Sequence, residues 1–425
     1  MITRIYKKLV ENMSPLLFIS ILFVASFAIT ADDSENVEEI VVKGNVLYAD
    51  QVNALKTPVP ILDVPQTVSI VTDDDIRKQG FRGIGDIIRY TPGVNTSQGE
   101  GHRDSVVFRG VRSTADFFQD GIRDDVQYYR SLYNVEQVEI LRGPNALLFG
   151  RGGTGGVINR VSKKAVLNDM FGALDFGVDS FGANDLTLDY NVLSGDNSAL
   201  RFMMHSDTLE NHRDHYDGQR TGINPALKLK VTERTTLDLS YEYADHERFI
   251  DRGIPTENGE PVKRFEKITF GDKDVNLTTF EATIFRATLS TEFSDTNKGN
   301  LSIISSEFEK MYKNYYVSGY NAGDTVVTMD GYLDPTKREN TVIAGNLVNE
   351  IQIGTSTHTL LFGGEIIDTS NDNHRYDTFW STTSDDNEIF NITRPMNFLE
   401  NSSGFGASND FTVKLSSKTK SDIEV

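Results

Sequence analysis

Two stretches of this sequence bring together residue types at spacings that could do chemistry. His212, Asp214, His215 and Asp217 put imidazoles and carboxylates into one short segment, a donor set that could hold a divalent metal. Arg213 and Arg220 interleave with them, and the same composition describes a solvated loop. The second stretch is Gly150-Arg151-Gly152-Gly153-Thr154-Gly155-Gly156, where Gly150, Gly152 and Gly155 have the spacing of a dinucleotide-binding turn, with Asp175 downstream as a ribose-binding acid. The context fails. No long amphipathic helix follows the glycines, no Gly-Lys-Ser/Thr completes a phosphate loop, and Asp175 falls in an alternating strand. A compact turn in which backbones approach closely is the better reading. No serine or histidine sits in a nucleophile–base context, so no enzymatic activity is expected. The chain has no cysteine and 7 histidines, which argues against a structural zinc site and excludes disulfides.

The elements that would carry such groups begin with an export signal. Arg4, Lys7 and Lys8 precede an apolar run over residues 16–29, which leads through Thr30 and Ala31 into acidic Asp32-Asp33-Ser34-Glu35. Charged start, apolar centre and small-residue end mark residues 1–31 as a secretory signal peptide. The run is short of the roughly 20 residues that a membrane helix needs. Elsewhere, 24% charged residues and a mean hydropathy of -0.35 exclude a bundle of membrane helices. They do not exclude a transmembrane β-barrel, whose strands alternate between lipid and interior and average out as polar. The net charge of -20 leaves no basic patch for nucleic acid.

Residues 32–56 are polar and acidic around one β-branched knot, Glu38, Glu39, Ile40, Val41, Val42, Lys43 and Gly44. Such a segment could add to another protein's sheet edge or form the first strand of the folded domain. Residues 57–165 read as a small mixed α/β domain. A strand over 68–71 runs into a helix that Thr72 and Asp75 cap and Gly80 ends. A second short helix over 85–90 stops at Thr91-Pro92-Gly93, and strands follow over 105–109, 135–141 and 157–161. From residue 166 the pattern changes to a period of two. Leu186, Leu188, Tyr190 and Val192 alternate with Asp185, Thr187, Asp189 and Asn191, and Leu237, Leu239, Tyr241 and Tyr243 with Asp238, Ser240 and Glu242. Repeated segments of roughly ten residues predict an antiparallel transmembrane β-barrel, with a soluble β-sandwich as the competing reading. Polar stretches over 246–276, 312–340 and 368–403 are expected as long loops.

Several ordered motifs then resemble a family. Val64-Pro65-Gln66-Thr67-Val68-Ser69-Ile70-Val71, Thr91-Pro92-Gly93-Val94, Phe108-Arg109-Gly110 and Asp120-Gly121-Ile122-Arg123 are similar to the plug domain of TonB-dependent siderophore receptors. So is the run from Asn134 through Glu136-Gln137-Val138-Glu139-Ile140, Arg142-Gly143-Pro144 and Phe149-Gly150-Arg151-Gly152 to Gly155-Gly156-Val157-Ile158-Asn159. The resemblance implies that Arg109, Gly110, Arg142, Gly143, Pro144, Gly152, Gly155 and Gly156 are structural plug motifs, and that Glu38–Gly44 is the TonB box. Residues 57–165 would be the plug, and residues 166–425 the N-terminal part of the barrel.

The same resemblance implies a receptor in the outer membrane of a Gram-negative bacterium, embedded in its lipid. It would take up a ferric siderophore, with iron as cargo and no cofactor of its own. Its energy would come through TonB and the inner-membrane proteins that energise it. Haem or cobalamin would be the alternative ligands; a plug with a partial sheet that transports nothing is the alternative of another class. The segments 99–104 and 125–130 would reach the plug apex, making His102, Arg103, Tyr128, Tyr129 and Arg130 candidate ligand contacts, with a lean toward catecholate chelates. Arginine and tyrosine fit anionic aromatic ligands through charge and stacking. Barrels of this kind use roughly 22 strands, of which residues 166–425 can supply about half. The expectation is therefore a fragment, with a formed plug beside an open sheet of roughly ten to twelve strands.

Overall fold

The computed structural model describes residues 64, 66–97, 99–124, 126–143, 155–213, 215–323, 325–380, 383–392, 402–405 and 411–420. The signal (1–31), the box and its linker (32–56), Pro144 and Gly152 lie outside the described residues.

The mixed domain forms where local chemistry demands it. Strand β1 (Thr67–Thr72) passes directly into helix α1 (Asp73–Gln79). Thr72 Oγ1 accepts the Asp75 amide at 3.2 Å while Asp75 Oδ2 accepts the Thr72 amide at 3.1 Å, the reciprocal cap expected from the sequence. Gly80 ends the helix with φ 63°. Helix α2 (Ile84–Ile88) buries Ile84, Ile87 and Ile88. Then come β2 (Val94–Thr96), β3 (Val106–Phe108), β4 (Val111–Ser113), β5 (Phe117–Gln119), β6 (Ile122–Arg123), β7 (Val135–Arg142) and β8 (Gly156–Ser162). One sheet runs β1-β7-β8-β5-β6, with β5 and β8 parallel; another runs β2-β3-β4. The core joins Ile76, Ile84, Ile87, Ile88, Phe108, Phe117, Val138, Ile140 and Ile158.

The strands after residue 170 are β9 (Phe171–Val178), β10 (Asn184–Leu193), β11 (Ser198–Glu210), β12 (Asp217–Thr232) and β13 (Thr235–Phe249). A small hairpin follows, β14 (Thr256–Glu257) with β15 (Glu260–Pro261). Then come β16 (Leu277–Ser294), β17 (Asn297–Asn321), β18 (Val326–Ile353), β19 (Ser356–Trp380), β20 (Glu388–Asn391), β21 (Ser402–Phe405) and β22 (Phe411–Lys420). Except for β14 and β15 they build one antiparallel sheet of 12 strands, beginning at β9. Among the described residues β9 pairs only with β10, so the sheet is open.

The sheet is inside-out. Asp189, Asn191, Arg201, Asp207, Arg220, Asn224, Lys228 and Glu242 are buried, whereas Tyr190, Leu200, Phe202, Tyr241, Phe285 and Leu289 are exposed. A soluble sandwich would bury the apolar face against a second sheet. Here the polar face packs on the mixed domain and the apolar face remains for lipid. Cross-strand register gathers the outer apolar residues at one level, as in the row Ile303–Ile343–Ile366. Glu281, Glu309 and Lys337 form a charged row beyond it.

Two expected loops are strands instead. Residues 312–340 continue β17 into β18 through the short connection 322–325, and β19 carries residue 368 onward to Trp380. These strands run 25, 28 and 25 residues, where crossing lipid needs about ten. Their polar halves therefore rise beyond the membrane, with cross-strand pairing satisfying the backbone that polarity alone suggested was loop. The other long stretch does contain a loop, over residues 250–276, after β13 extends to Phe249. Connections 194–197, 233–234, 295–296 and 354–355 at the opposite end are short. Short periplasmic turns and longer outer connections orient such a sheet, which puts loop 250–276 on the outer side.

Candidate functional site

Plug and sheet meet in a seam of buried polar groups. Lys163 Nζ lies 2.9 Å from both Asp189 on β10 and Asp73 on α1. Arg286 on β16 donates to Glu242 at 2.8 Å and to Gln119 of the plug at 2.7 Å. Tyr133 stacks on His205 and Tyr128 on Phe280, with ring centroids 4.3 and 4.2 Å apart. Several buried polar groups of the inner face thus find partners on the mixed domain.

At the outer end of the seam lies a cavity of about 590 Å³. From the plug it takes Ser97, Gly99, Glu100, Arg103, Ser105, Arg112 and Thr114; from the wall it takes residues 252–255 and 316–318. Three guanidiniums, those of Arg103, Arg112 and Arg252, and one carboxylate, that of Glu100, set its charge. Arg252 is held in place by its neighbours. Asp251 accepts from Arg213 Nε at 2.5 Å and from the Gly253 amide at 2.8 Å, and the Arg252 guanidinium lies 3.8 Å from the centroid of the Tyr316 ring. Glu100 joins the two sides. Its carboxylate is 2.9 Å from Arg103 and 3.5 Å from Arg252, and accepts from the Tyr332 hydroxyl at 3.3 Å. A hydrogen bond from His102 and the charges of Arg103 and Arg252 outweigh partial burial and hold its carboxyl down to about 2.

Of the five contacts expected at the apex, Arg103 lines the cavity. His102 is buried behind it, 3.9 Å from the Tyr312 ring, and burial followed by the Lys310 charge keeps its imidazole well below the usual range. Tyr128 is buried in the seam and Tyr129 lies beneath the Arg248 guanidinium at 4.0 Å; burial pushes both phenols up to about 12. Arg130 is wholly enclosed. It donates at 2.8 Å to Asp124 Oδ2, to the Asp124 carbonyl and to the Val126 carbonyl, and lies 4.0 Å from the Phe117 centroid. Arg160 donates to the same Asp124 at 2.7 Å, and these two guanidiniums keep that carboxyl low although burial opposes them.

The cavity groups not singled out from sequence are Glu100, Arg112, Arg252 and Tyr316. Glu100 falls within the apical segment 99–104, but nothing local marks Arg252 or Tyr316.

The plug motifs have structural roles. Arg109 (φ 47°) and Gly110 (φ 89°) make the turn between β3 and β4. Arg142 donates to the Pro92 carbonyl at 2.5 Å and to Ser69 at 2.7 Å. The Gly143 amide donates to the Gly155 carbonyl at 2.9 Å. A Cβ on Gly155 or Gly156 would lie 2.7 or 2.6 Å from Phe108, so close backbone approach explains these two. His212 and His215 are exposed, and no group of three metal-ligating side chains occurs among the described residues.

An inside-out antiparallel sheet packed on a small mixed domain is the architecture of a plug domain with part of an outer-membrane β-barrel. The family model described as TonB-dependent Receptor Plug Domain matches residues 60–157. The probable TonB-dependent receptor BfrD of Bordetella pertussis is 29% identical over 261 residues, covering 59% of this chain and 35% of BfrD. The catecholate siderophore receptor Fiu of Escherichia coli is 31% identical over 243 residues, covering 54% and 31%. Among solved structures, the siderophore receptor PiuA of Acinetobacter baumannii superposes with a TM-score of 0.71 at 23% identity, covering 81% of this chain and 51% of PiuA. The open form of E. coli Fiu gives 0.69 at 20%, covering 77% and 58%. Residues 60–157 of this chain are a TonB-dependent receptor plug domain, and the sheet that follows shares the fold of solved TonB-dependent receptors. The chain's matches span about a third of the length of the curated relatives.

Proposed function

We propose that the protein is a TonB-dependent receptor of the outer membrane of a Gram-negative bacterium that takes up a ferric siderophore, bound in the cavity between the plug and loop 250–276. The observation that carries this reading is the composition of the cavity, which Arg103, Arg112 and Arg252 all line at the outer end of the seam between plug and sheet. Guanidiniums at a low-dielectric mouth attract anionic chelates and supply donors in a fixed fork. The chain's work is then binding and transport, with iron as cargo. Glu38–Gly44 is the segment that pairs with TonB by strand addition, through which the energised inner membrane acts on the plug. The relatives' roles in siderophore reception support the reading. Its test is uptake of radiolabelled ferric siderophore by cells with and without TonB. Val41→Pro removes a backbone donor from the pairing segment and is expected to abolish uptake while chelate binding persists. Normal uptake by that variant would remove the segment's assigned role, uptake without TonB would remove the TonB dependence, and absence of uptake by the unmodified protein would remove the transport reading.

A further inference from the structure

Glu100 is the one carboxylate among the residues lining the cavity, and its situation is unusual in three respects. First, it bridges two bodies: Arg103 belongs to the plug and Arg252 to the loop after β13, and the carboxylate touches both. Its backbone carbonyl also accepts from the Tyr312 hydroxyl of β17 at 2.9 Å, so side chain and main chain both tie the apex to the wall. Second, its backbone is left-handed, with φ 56° and ψ 22°, between Gly99 at φ 59° and Gly101 at φ 79°. A residue with a Cβ adopts that conformation at a cost and keeps it where surrounding contacts hold it. Gly101 favours glycine, because its φ of 79° strains any side chain and a Cβ there would crowd the Asp251 carbonyl oxygen at 3.0 Å. Third, the side chain is about one-third exposed (36%), facing the space where a ligand would sit.

We propose that Glu100 is an internal counter-ion that holds Arg103 and Arg252 in the empty receptor, and that an anionic iron chelate must displace it, untying the plug apex from the wall. The proposal rests on the reading of the cavity as a chelate site and adds the rule by which that site discriminates. A trianionic chelate offers the two guanidiniums more negative charge than one carboxylate does, so exchange is favourable. A neutral chelate offers nothing in return for breaking the two ion pairs, so it leaves them in place and its affinity does not depend on them. Once the carboxylate is displaced, the 99–101 turn keeps the Tyr312 bond to its carbonyl but loses the side-chain contacts that help hold its left-handed backbone, and the link between plug and loop relaxes at the moment of binding.

The test is titration of the purified protein in detergent with two probes, a trianionic ferric tris-catecholate and a neutral ferric trihydroxamate. In Glu100→Gln the competing charge is gone, and the trianion is expected to bind roughly tenfold more tightly, the range for removing two partly exposed ion pairs. Affinity for the neutral chelate is expected to stay unchanged. Glu100→Asp, whose shorter carboxylate cannot reach both arginines, should give an intermediate gain and serves as the second variant if the amide folds poorly. Hydrogen exchange over residues 99–104 should rise on binding the trianion in the unmodified protein and be raised already in Glu100→Gln. Weaker binding of the trianion by both variants would overturn the proposal, as would equal changes for both probes. If the unmodified protein binds the neutral chelate alone, the counter-ion role falls and the receptor reading stands. If it binds neither, both fall.

Discussion

Replacing Arg130 by methionine should loosen the plug itself, with loss of ligand recognition only secondary. The side chain is fully enclosed and its donors are taken up by the Asp124 carboxylate and the carbonyls of Asp124, Val126 and Tyr128, with Asp104 Oδ2 at 3.4 Å. Methionine fills much of the volume but leaves two buried carboxylates with less compensation. Removing one partner of a buried pair costs roughly 3–5 kcal/mol. The lower end applies here for two reasons. Asp124 retains Arg160 at 2.7 Å, and the Asp104 carboxyl, already pushed up by burial against the pull of Arg130, can take a proton. About 3 kcal/mol corresponds to roughly a hundredfold rise in the population of locally opened plug. Hydrogen exchange of β5 and residues 126–130, measured where exchange reports opening equilibria, should show that rise. Unchanged exchange together with lost chelate binding would refute this reasoning and restore Arg130 as a direct contact.

Gly155→Val places a Cβ 2.7 Å from that of Phe108, so it should lower plug stability by about 1–3 kcal/mol; an unchanged denaturant midpoint would contradict the packing. Arg286→Met cuts the link Glu242–Arg286–Gln119 and strands a buried carboxylate. It should cost roughly 3 kcal/mol, most of it recovered by adding Glu242→Gln, as a double-mutant comparison of urea unfolding would show. Acid should weaken the apical tie through Glu100. Its carboxyl is depressed to about 2 from an ordinary 4.5, so its stabilising contribution is complete above about 4.5 and is lost as pH falls from there through 2. Proteolytic cleavage near residues 99–104 should rise across that window, and a flat profile would argue against the ion pairs.

Much of this protein could be read along the chain, because the relevant physics is local or periodic. The Thr72–Asp75 cap and the Gly80 stop are interactions over a few residues, and each appears as its sequence implies. Alternation such as Leu186–Val192 follows from the two-residue period of a strand, and the plug motifs act within tight turns and close approaches. Which face of the alternation is buried was not local. Polar residues such as Asp189 and Arg201 turn inward, where they pair with each other and with Lys163 and Glu136 of the second body docked there. Strand length was not local either: the polar run 312–340 resembles a loop until a partner strand satisfies its backbone.

The site divides the same way. Arg103 lines the cavity, and the resemblance of the plug motifs marks its segment as an expected apex. Arg130, of the same residue type and from the other apical segment, became an internal staple, because Asp104 and Asp124 converge on it only in the fold. Arg252 and Tyr316 joined the cavity from distant strands and a loop pinned by Arg213. A side chain's chemistry is written in its type, but whether it meets ligand or core depends on which distant groups neutralise it, and tertiary structure alone brings those groups together.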